Sequence, residues 1–223
     1  MAASRVLVAS ARLCSRARAG AGGALPLLSP SARRFVGPRA SHASAGARDA
    51  DATAAPPTDA LKTYCLTGRG GGVAATVLAR NHTIQTDVPK SMGGEDAAPQ
   101  PVELVLAALV GCEQATAAYV ARHTRPRFPL RYVHFDLRAT RDERGAIALP
   151  IDERPPVSSR LLRVEGTAIV HLSRGAESRA RVEALGRRVE ERCPVADMLR
   201  ASGCELDVRW QMAKDFLDDD REG

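Results

Sequence analysis

Hydrophobic and polar residues alternate in three long stretches, and strict alternation predicts a β-strand with one buried face. The stretches are RYVHFDLRA (131–139), RLLRVEGTAIVHL (160–172) and CELDVRWQM (204–212). Residues 61–90 predict two or three further short strands, with GRGGG (68–72) as the tight turn between the first two. The predicted inward positions are Val133, Phe135, Leu137, Leu162, Val164, Ala168, Val170, Leu172, Cys204, Leu206, Val208, Trp210 and Met212.

Helix-forming residues fill the segments between these strands. Pro101 is suited to open a helix that runs to about His123, and residues 104–112 are apolar on nearly every side, which predicts a central helix buried all round. Residues 176–192 have apolar positions at helical spacing, and PVADMLRAS (194–202) predicts a second short helix. The order of elements predicts an α+β fold with helices packed on an antiparallel sheet. Because the first strands supply little apolar surface, we expect a homodimer that shares sheet and helices.

The positive charge of the chain is concentrated at its start. The formal net charge is +6, but residues 1–48 contain eight arginines and no acid. The remaining residues contain 32 − 8 = 24 basic and 26 acidic side chains, a net charge of −2. A nearly neutral body gives no electrostatic basis for nucleic-acid binding.

This composition divides the chain into four parts. Residues 1–48, rich in Arg, Ser and Ala, are typical of an organelle transit peptide, which predicts the mitochondrial matrix, with the plastid or an untargeted basic tail as alternatives. Residues 49–60 predict a linker, residues 61–214 the folded domain and residues 215–223 an acidic tail. We expect no membrane span, since Glu103 and Glu113 interrupt the most apolar run.

Cysteines are the main candidates for chemistry. The five cysteines form no CxxC pair and the five histidines lack metal-ligand spacing, so no metal site is expected. Cys65 and Cys204 are interpreted as core residues. Cys193 precedes Pro194 and is the expected N-cap of the short helix, where the helix dipole can lower the pKa of a thiol. Three nearby arginines, Arg187, Arg188 and Arg192, are expected to add positive potential.

Cys112 ends an apolar run in the long helix, among small residues that would let another chain approach. A buried thiol stays protonated unless a cation reaches it. Glu103, nine residues earlier, is expected on the opposite face of the helix. Arg69, within GRGGG, is the best candidate cation, with a solvated turn residue as the alternative.

Together, GGEDAAPQPVELVLAALVGC (93–112) and EERCPVADML (190–199) resemble the OsmC/Ohr superfamily, the osmotically inducible and organic hydroperoxide resistance proteins. The resemblance covers roughly residues 61–213. It implies an OsmC-like α+β fold, an intertwined homodimer, and active sites at the subunit interface.

The resemblance also implies an activity, a thiol peroxidase that reduces organic or fatty-acid hydroperoxides. Cys112 would become a sulfenic acid, Cys193 would resolve it to a disulfide, and Arg69 would hold Cys112 as thiolate. No bound cofactor is implied; a dithiol, dihydrolipoamide, would return the disulfide to thiols, with lipoylated proteins as partners. Val102 occupies the position of the family's catalytic glutamate, and Glu103, one residue later, is the candidate catalytic acid. An alternative is therefore an OsmC-like dimer that uses its thiols otherwise or binds a small molecule.

Overall fold

The structure is a computed structural model that describes residues 60–213. The predicted transit peptide, nearly all of the predicted linker and the predicted acidic tail lie outside the described residues. The chain divides into two compact units, one ending at Gly94 and the other beginning at Glu95.

The first unit contains a three-stranded antiparallel sheet, which confirms the predicted short strands. Strands β1 (Thr67–Gly71), β2 (Ala74–Ala79) and β3 (His82–Thr86) pair in the order β1-β2-β3. The prediction that GRGGG is the turn was wrong for most of its length, because Gly70 and Gly71 pair with β2 and the chain turns after them. Gly72, with φ of 58°, is the turn residue that needs a left-handed backbone.

Two consecutive glycines end this unit, after a short 3-10 turn at Lys90–Met92. Gly93 has φ of 86°, which side chains other than hydrogen rarely permit. A Cβ atom on Gly94 would collide with the carbonyl oxygen of Val88. The pair GG therefore meets two separate local requirements, one of conformation and one of space.

The second unit packs helices on one face of a second three-stranded sheet. Its elements in chain order are α1 (Pro101–His123), β4 (Leu130–Arg141), α2 (Arg144–Ile147), β5 (Leu161–Leu172), α3 (Arg179–Glu190), α4 (Pro194–Ala201) and β6 (Glu205–Met212). The α+β prediction is confirmed. The sheet is mixed rather than purely antiparallel, because β5 pairs antiparallel with β4 but parallel with β6. Helices α3 and α4 form the crossover that a parallel pair requires.

The core of this unit lies between the sheet and the helices. One group of buried residues joins α1 and α3 to the sheet and includes Ala117, Val133, Val170, Val182 and Trp210. The other group includes Leu109, Val164, Cys193, Ala196 and Cys204. The alternation predicted for β6 is confirmed, since the side chains of Cys204 and Trp210 are buried and those of Leu206, Val208 and Met212 are half-buried.

Two predicted core positions are exposed instead. Leu162 is 41% exposed, because the pairing of β4 and β5 is irregular after Thr140 and Leu161 takes the paired position there. Cys65 is exposed and precedes β1, so it is not a core residue.

The prediction that the long helix is buried all round was wrong. Helix α1 packs one face against β4, α3 and α4, and its buried residues are Leu109, Glu113, Ala117, Val120 and Ala121. The opposite face is apolar and exposed, and includes Val105, Ala108, Gly111, Ala115 and Tyr119. We call these five residues the exposed face of α1. Apolar composition alone predicted burial, but it does not specify which molecule covers each side.

Helix α1 is also long and apolar enough, by length and composition, to cross a membrane. This criterion is weak for a single helix, because core helices of water-soluble proteins meet it too. The two acids that interrupt the run, Glu103 and Glu113, do not remove the helix from this class.

Candidate active site

Cys112 lies in the middle of α1, between its buried and exposed faces. Its side chain is half-buried. Its backbone carbonyl accepts the helical hydrogen bond and a second one from the Thr116 hydroxyl at 2.8 Å. A thiol at this position can contact the core of its own chain and remain reachable from outside.

Cys193 is the N-cap of α4, as predicted from the Cys-Pro pair, and Pro194 occupies the first turn. The Cys193 Sγ accepts a hydrogen bond from the backbone N–H of Ala196 at 3.5 Å. The side chain is only 1% exposed. The helix start therefore holds the sulfur at a fixed place within the core.

The fold brings the two sulfur atoms together across 81 residues of sequence. Cys112 packs against the group of buried residues that contains Cys193 and Leu109. The Cys112 side chain lies near enough to the Cys193 thiol to add, after burial, to the rise in the pKa of Cys193. Helices α1 and α4 thus place Cys112 and Cys193 side by side within the second unit, and we call these two residues the dithiol pair.

The prediction that the helix dipole lowers the pKa of Cys193 was wrong. Burial raises the pKa of the Cys193 thiol to about 11, and the hydrogen bond from Ala196 opposes this rise without cancelling it. Desolvation outweighs this hydrogen bond because the sulfur is nearly inaccessible to water. The three nearby arginines do not reverse it. Arg187 and Arg188 are exposed, and Arg192 donates to the carbonyl of Arg188 at 3.4 Å.

Glu103, the candidate catalytic acid, caps the start of a helix in the structure. Its carboxylate accepts a hydrogen bond from the backbone N–H of Gln100 at 2.8 Å and so caps the start of α1. Nine helical residues separate it from Cys112, a rise of about 13 Å along the axis. The structure does not bring Glu103 to the thiols, as its helical phase predicted.

Arg69 lies on β1 in the first unit. Its backbone pairs with Thr76 and its side chain is exposed. It is a strand residue rather than the turn residue that the glycine run suggested.

Glu113, expected from the sequence only as an acid that interrupts the apolar run, is buried beside Cys112 in α1. It is 0% exposed, and within residues 60–213 neither of its carboxyl oxygens has a hydrogen-bond partner. Burial raises its pKa to about 7, the Glu190 charge adds to the rise, and the Arg200 charge opposes it. The signal was present as an acid in the middle of an apolar helix, where it could only be buried or interrupt the buried face.

Glu190 and Arg200 are the charged residues that affect the pKa of Glu113, and they are bonded to each other. The Arg200 guanidinium donates to the Glu190 carboxylate at 2.6 Å and to the Glu190 backbone carbonyl at 2.9 Å. The Trp210 indole N–H donates to the other Glu190 oxygen at 3.2 Å. Arg200 therefore ties α4 to the last turn of α3, on either side of Cys193.

Cys204 is the third thiol of this unit, and its predicted place in the core is confirmed. It is buried, and burial raises the pKa of its thiol. Within residues 60–213, no three residues of the types His, Cys, Asp and Glu are grouped so that they could hold a metal ion.

Solved structures with a similar fold come from several bacteria. An OsmC-like protein from Mycoplasma pneumoniae is 19% identical, with a TM-score of 0.54 over 69% of this chain and 99% of that chain. An OsmC-like protein of unknown function from Vibrio cholerae is 12% identical, with a TM-score of 0.54 over 68% and 99%. An organic hydroperoxide resistance protein, OsmC, from Legionella pneumophila is 20% identical, with a TM-score of 0.51 over 67% and 97%. At these identities the likeness shows the fold.

Sequence comparison gives the family directly. No curated protein sequence matches the chain. The family model described as OsmC-like protein matches residues 93–209, just over half of the chain, and this range includes both Cys112 and Cys193. The chain therefore belongs to the OsmC-like protein family.

Proposed function

We propose that the protein is a thiol-dependent peroxidase that reduces organic or fatty-acid hydroperoxides. The observation that carries the proposal is the packing of the Cys112 side chain, on α1, against the buried group that contains Cys193, on α4. Two thiols in contact can form a disulfide with little rearrangement. Family membership and the likeness to a hydroperoxide resistance protein support the same chemistry.

The reaction follows from the difference between the two thiols. The half-buried Cys112, as thiolate, attacks the terminal oxygen of the hydroperoxide; an S–O bond forms, the O–O bond breaks, and the alcohol leaves after taking a proton. Cys193 sulfur then attacks the Cys112 sulfenic acid. An S–S bond forms, the S–O bond breaks, and hydroxide leaves as water with the Cys193 proton. The raised pKa keeps Cys193 protonated before this second step, so its proton must leave as the S–S bond forms.

The other participants in the proposal are those that the family resemblance implies. Arg69 holds Cys112 as thiolate, and a dithiol, dihydrolipoamide free or on lipoylated proteins, reduces the disulfide by thiol exchange. The mitochondrial matrix, where the basic residues 1–48 would direct the chain, contains such dithiols. Glu103 contributes indirectly, by fixing the start of the helix that carries Cys112.

The active form in this proposal is a homodimer. The exposed face of α1 supports it, because its five apolar residues cover about a third of the helix circumference and no residue among 60–213 covers them. Cys112 lies at the edge of this face. A second copy packed there would enclose the reactive thiol.

The test is turnover of cumene hydroperoxide with dihydrolipoamide by the full chain and by three serine variants. Cys112→Ser should abolish turnover, whereas Cys193→Ser should allow one oxidation that leaves a sulfenic acid on Cys112, detected by dimedone labelling. Cys204→Ser is the matched control, because it removes a buried thiol outside the dithiol pair, and should keep turnover. Turnover that persists in Cys112→Ser, or its absence in the unmodified protein, would reject the peroxidase.

A second candidate function is an OsmC-like dimer that uses its thiols on another electrophile or binds a small apolar molecule. Val102, at the position of the family's catalytic glutamate, is 36% exposed, and the neighbouring Glu103 is engaged as a cap. No carboxylate of the start of α1 is then free to orient a hydroperoxide. Under this reading, peroxide oxidises Cys112 no faster than it oxidises an ordinary exposed cysteine, which stopped-flow measurement with one equivalent of peroxide would show.

A further inference from the structure

We propose that the acidic segment after β6, residues 214–223 (KDFLDDDREG), docks on an arginine-lined pocket of its own chain, between the end of α1 and the start of α3. The proposal concerns a surface away from the dithiol pair and does not depend on the peroxidase activity.

The pocket is lined by both cationic and apolar side chains. It has a volume of about 220 Å³. Arg125, Arg181 and Arg188 supply its charge, and Phe128, Ala184 and Leu185 supply apolar surface. No acidic residue lines it. Such a lining suits a short peptide that carries both carboxylates and an apolar side chain.

The three arginines differ in whether their guanidinium groups are paired with a carboxylate. Arg181 is held by Glu177 at 2.6 Å and lies over the Phe128 ring, 5.4 Å from its centroid. Arg125 donates to two backbone carbonyls, those of Arg122 at 3.2 Å and Thr124 at 3.3 Å.

Within the described part of the chain, no carboxylate is ion-paired with Arg125 or Arg188. Arg163, on the far face of the sheet, contrasts with them because it contacts three carboxylates at 2.6 to 2.8 Å. The pocket therefore retains uncompensated positive charge.

The last residues of β6 and the pocket lie at the same end of the sheet. The backbone N–H of Ala213 donates to the carbonyl of Val170 at 3.0 Å, and two residues later Leu172 pairs with Leu130, the first residue of β4. Strands lie about 4.8 Å apart, so the end of β6 is about 10 Å across the sheet from the start of β4. Phe128, in the pocket, precedes that start by two residues.

The segment is long enough and has the complementary charge. It contains five acids and two basic residues, a net charge of 2 − 5 = −3. Residues 218–220, three consecutive aspartates, follow Ala213 by five to seven positions, and an extended chain of that length reaches roughly 16 to 25 Å. Phe216 and Leu217 precede the aspartates and match the apolar side chains of the pocket.

Hydrogen exchange measured by mass spectrometry on the full chain, at low salt, tests the docking. We expect the amides of residues 216–220 to exchange about tenfold more slowly in the unmodified chain than in Arg125→Gln with Arg188→Gln, a difference of about 1.4 kcal/mol. Added salt should shrink the difference, because it screens exposed charges. The matched control is Arg138→Gln with Arg209→Gln, which removes the same charge from the outer face of the sheet and should leave the protection unchanged.

A second variant makes the result independent of any effect of the pocket substitutions on folding. Asp218→Asn with Asp219→Asn and Asp220→Asn alters no residue of the described fold and should lose the same protection. Unprotected amides in the unmodified chain, or protection that the pocket variant retains, would overturn the proposal. Protection that rises with protein concentration would also overturn it, since the segment would then dock on another copy.

Discussion

Cys112 and Glu113 are consecutive residues of α1 whose side chains lie in opposite surroundings. The Cys112 thiol is half-buried and meets Cys193, whereas the Glu113 carboxyl is completely buried and both its oxygens lack a partner among residues 60–213. One helical step of about 100° separates them. The Cys112 side chain is therefore partly accessible from outside, whereas the Glu113 carboxyl affects the stability of the core.

Glu113→Gln should make stability less dependent on pH. The folded state raises the pKa of Glu113 from 4.5 to about 7, so the folded state keeps a proton that the unfolded state has lost between these values. Stability from this group is complete below about pH 4.5 and is lost as pH rises through 7. Gln carries no charge, so its stability does not fall over this range. Relative to the unmodified protein, the free energy of unfolding of the variant should therefore rise above pH 5, by up to about 3 kcal/mol above pH 7.

Urea unfolding, followed by the fluorescence of Trp210, the single tryptophan, measures this at pH 4.5, 6 and 8. The change in the stability difference with pH is the result that matters, because any fixed cost of burying the amide shifts all three values equally. A difference that stays constant over this range would mean that the Glu113 charge is compensated in the folded protein.

Cys193 should react slowly with alkylating agents at neutral pH and faster as the pH rises. With a pKa of about 11, roughly one thiol in a thousand is ionised at pH 8, against about a quarter for a free cysteine. Its 1% exposure slows the reaction further. Mass spectrometry of iodoacetamide-treated native protein, from pH 7 to 10, measures modification of each cysteine. Fast modification of Cys193 at pH 7, with the fold intact, would contradict a buried neutral thiol.

The sequence predicted correctly those features that depend on a few neighbouring residues. Alternation in residues 204–212 identified the inward side of β6, and the Cys-Pro pair identified Cys193 as an N-cap. Both depend on a few consecutive residues, and both are confirmed. The Gly-Gly pair at 93 and 94 likewise reflects a positive φ and a close backbone approach.

The features that were missed depend on contacts between distant segments. The pKa of Cys193 rises because the tertiary structure removes water from the helix start, and this outweighs the dipole that the sequence makes visible. The direction of β6 depends on the path of the α3–α4 crossover, and alternation is the same for parallel and antiparallel strands. For α1, composition cannot distinguish a face covered by its own chain from one covered by a second copy.

Ala108→Glu should leave the protein monomeric if it forms the proposed homodimer through the exposed face of α1. Ala108 is exposed in the single chain, so a glutamate there fits the monomer, but it would bury an unpaired charge between two copies. Light scattering coupled to size-exclusion chromatography gives the mass. Arg138→Glu introduces the same side chain on the outer face of the sheet and should leave the mass unchanged. A dimer that survives Ala108→Glu would place the interface elsewhere.

Gly186→Ala should destabilise the protein although alanine is the better helix former. Gly186 lies in the middle of α3, where propensity alone favours alanine by about 1 kcal/mol. A Cβ atom there would collide with Cγ of the Trp210 ring, which packs directly on the helix backbone. Overpacking of this kind costs about 1 to 3 kcal/mol, so after the gain in helix propensity we expect a net loss of up to about 2 kcal/mol. Urea unfolding measures the loss, and a shift in the Trp210 emission maximum should accompany it.

Ala184→Gly, two residues earlier in the same helix, isolates the propensity contribution and should cost about 1 kcal/mol without moving the Trp210 emission. The comparison separates the two effects because both substitutions change one methyl group of α3, but Ala184 lies about 200° around the helix from Gly186, whose Cβ would meet the ring. If Gly186→Ala instead stabilised the protein, the contact between α3 and Trp210 would have to be looser than the structure shows. In that case the hydrogen bond from Trp210 to Glu190, beside the dithiol pair, would lose the support of a close-packed ring.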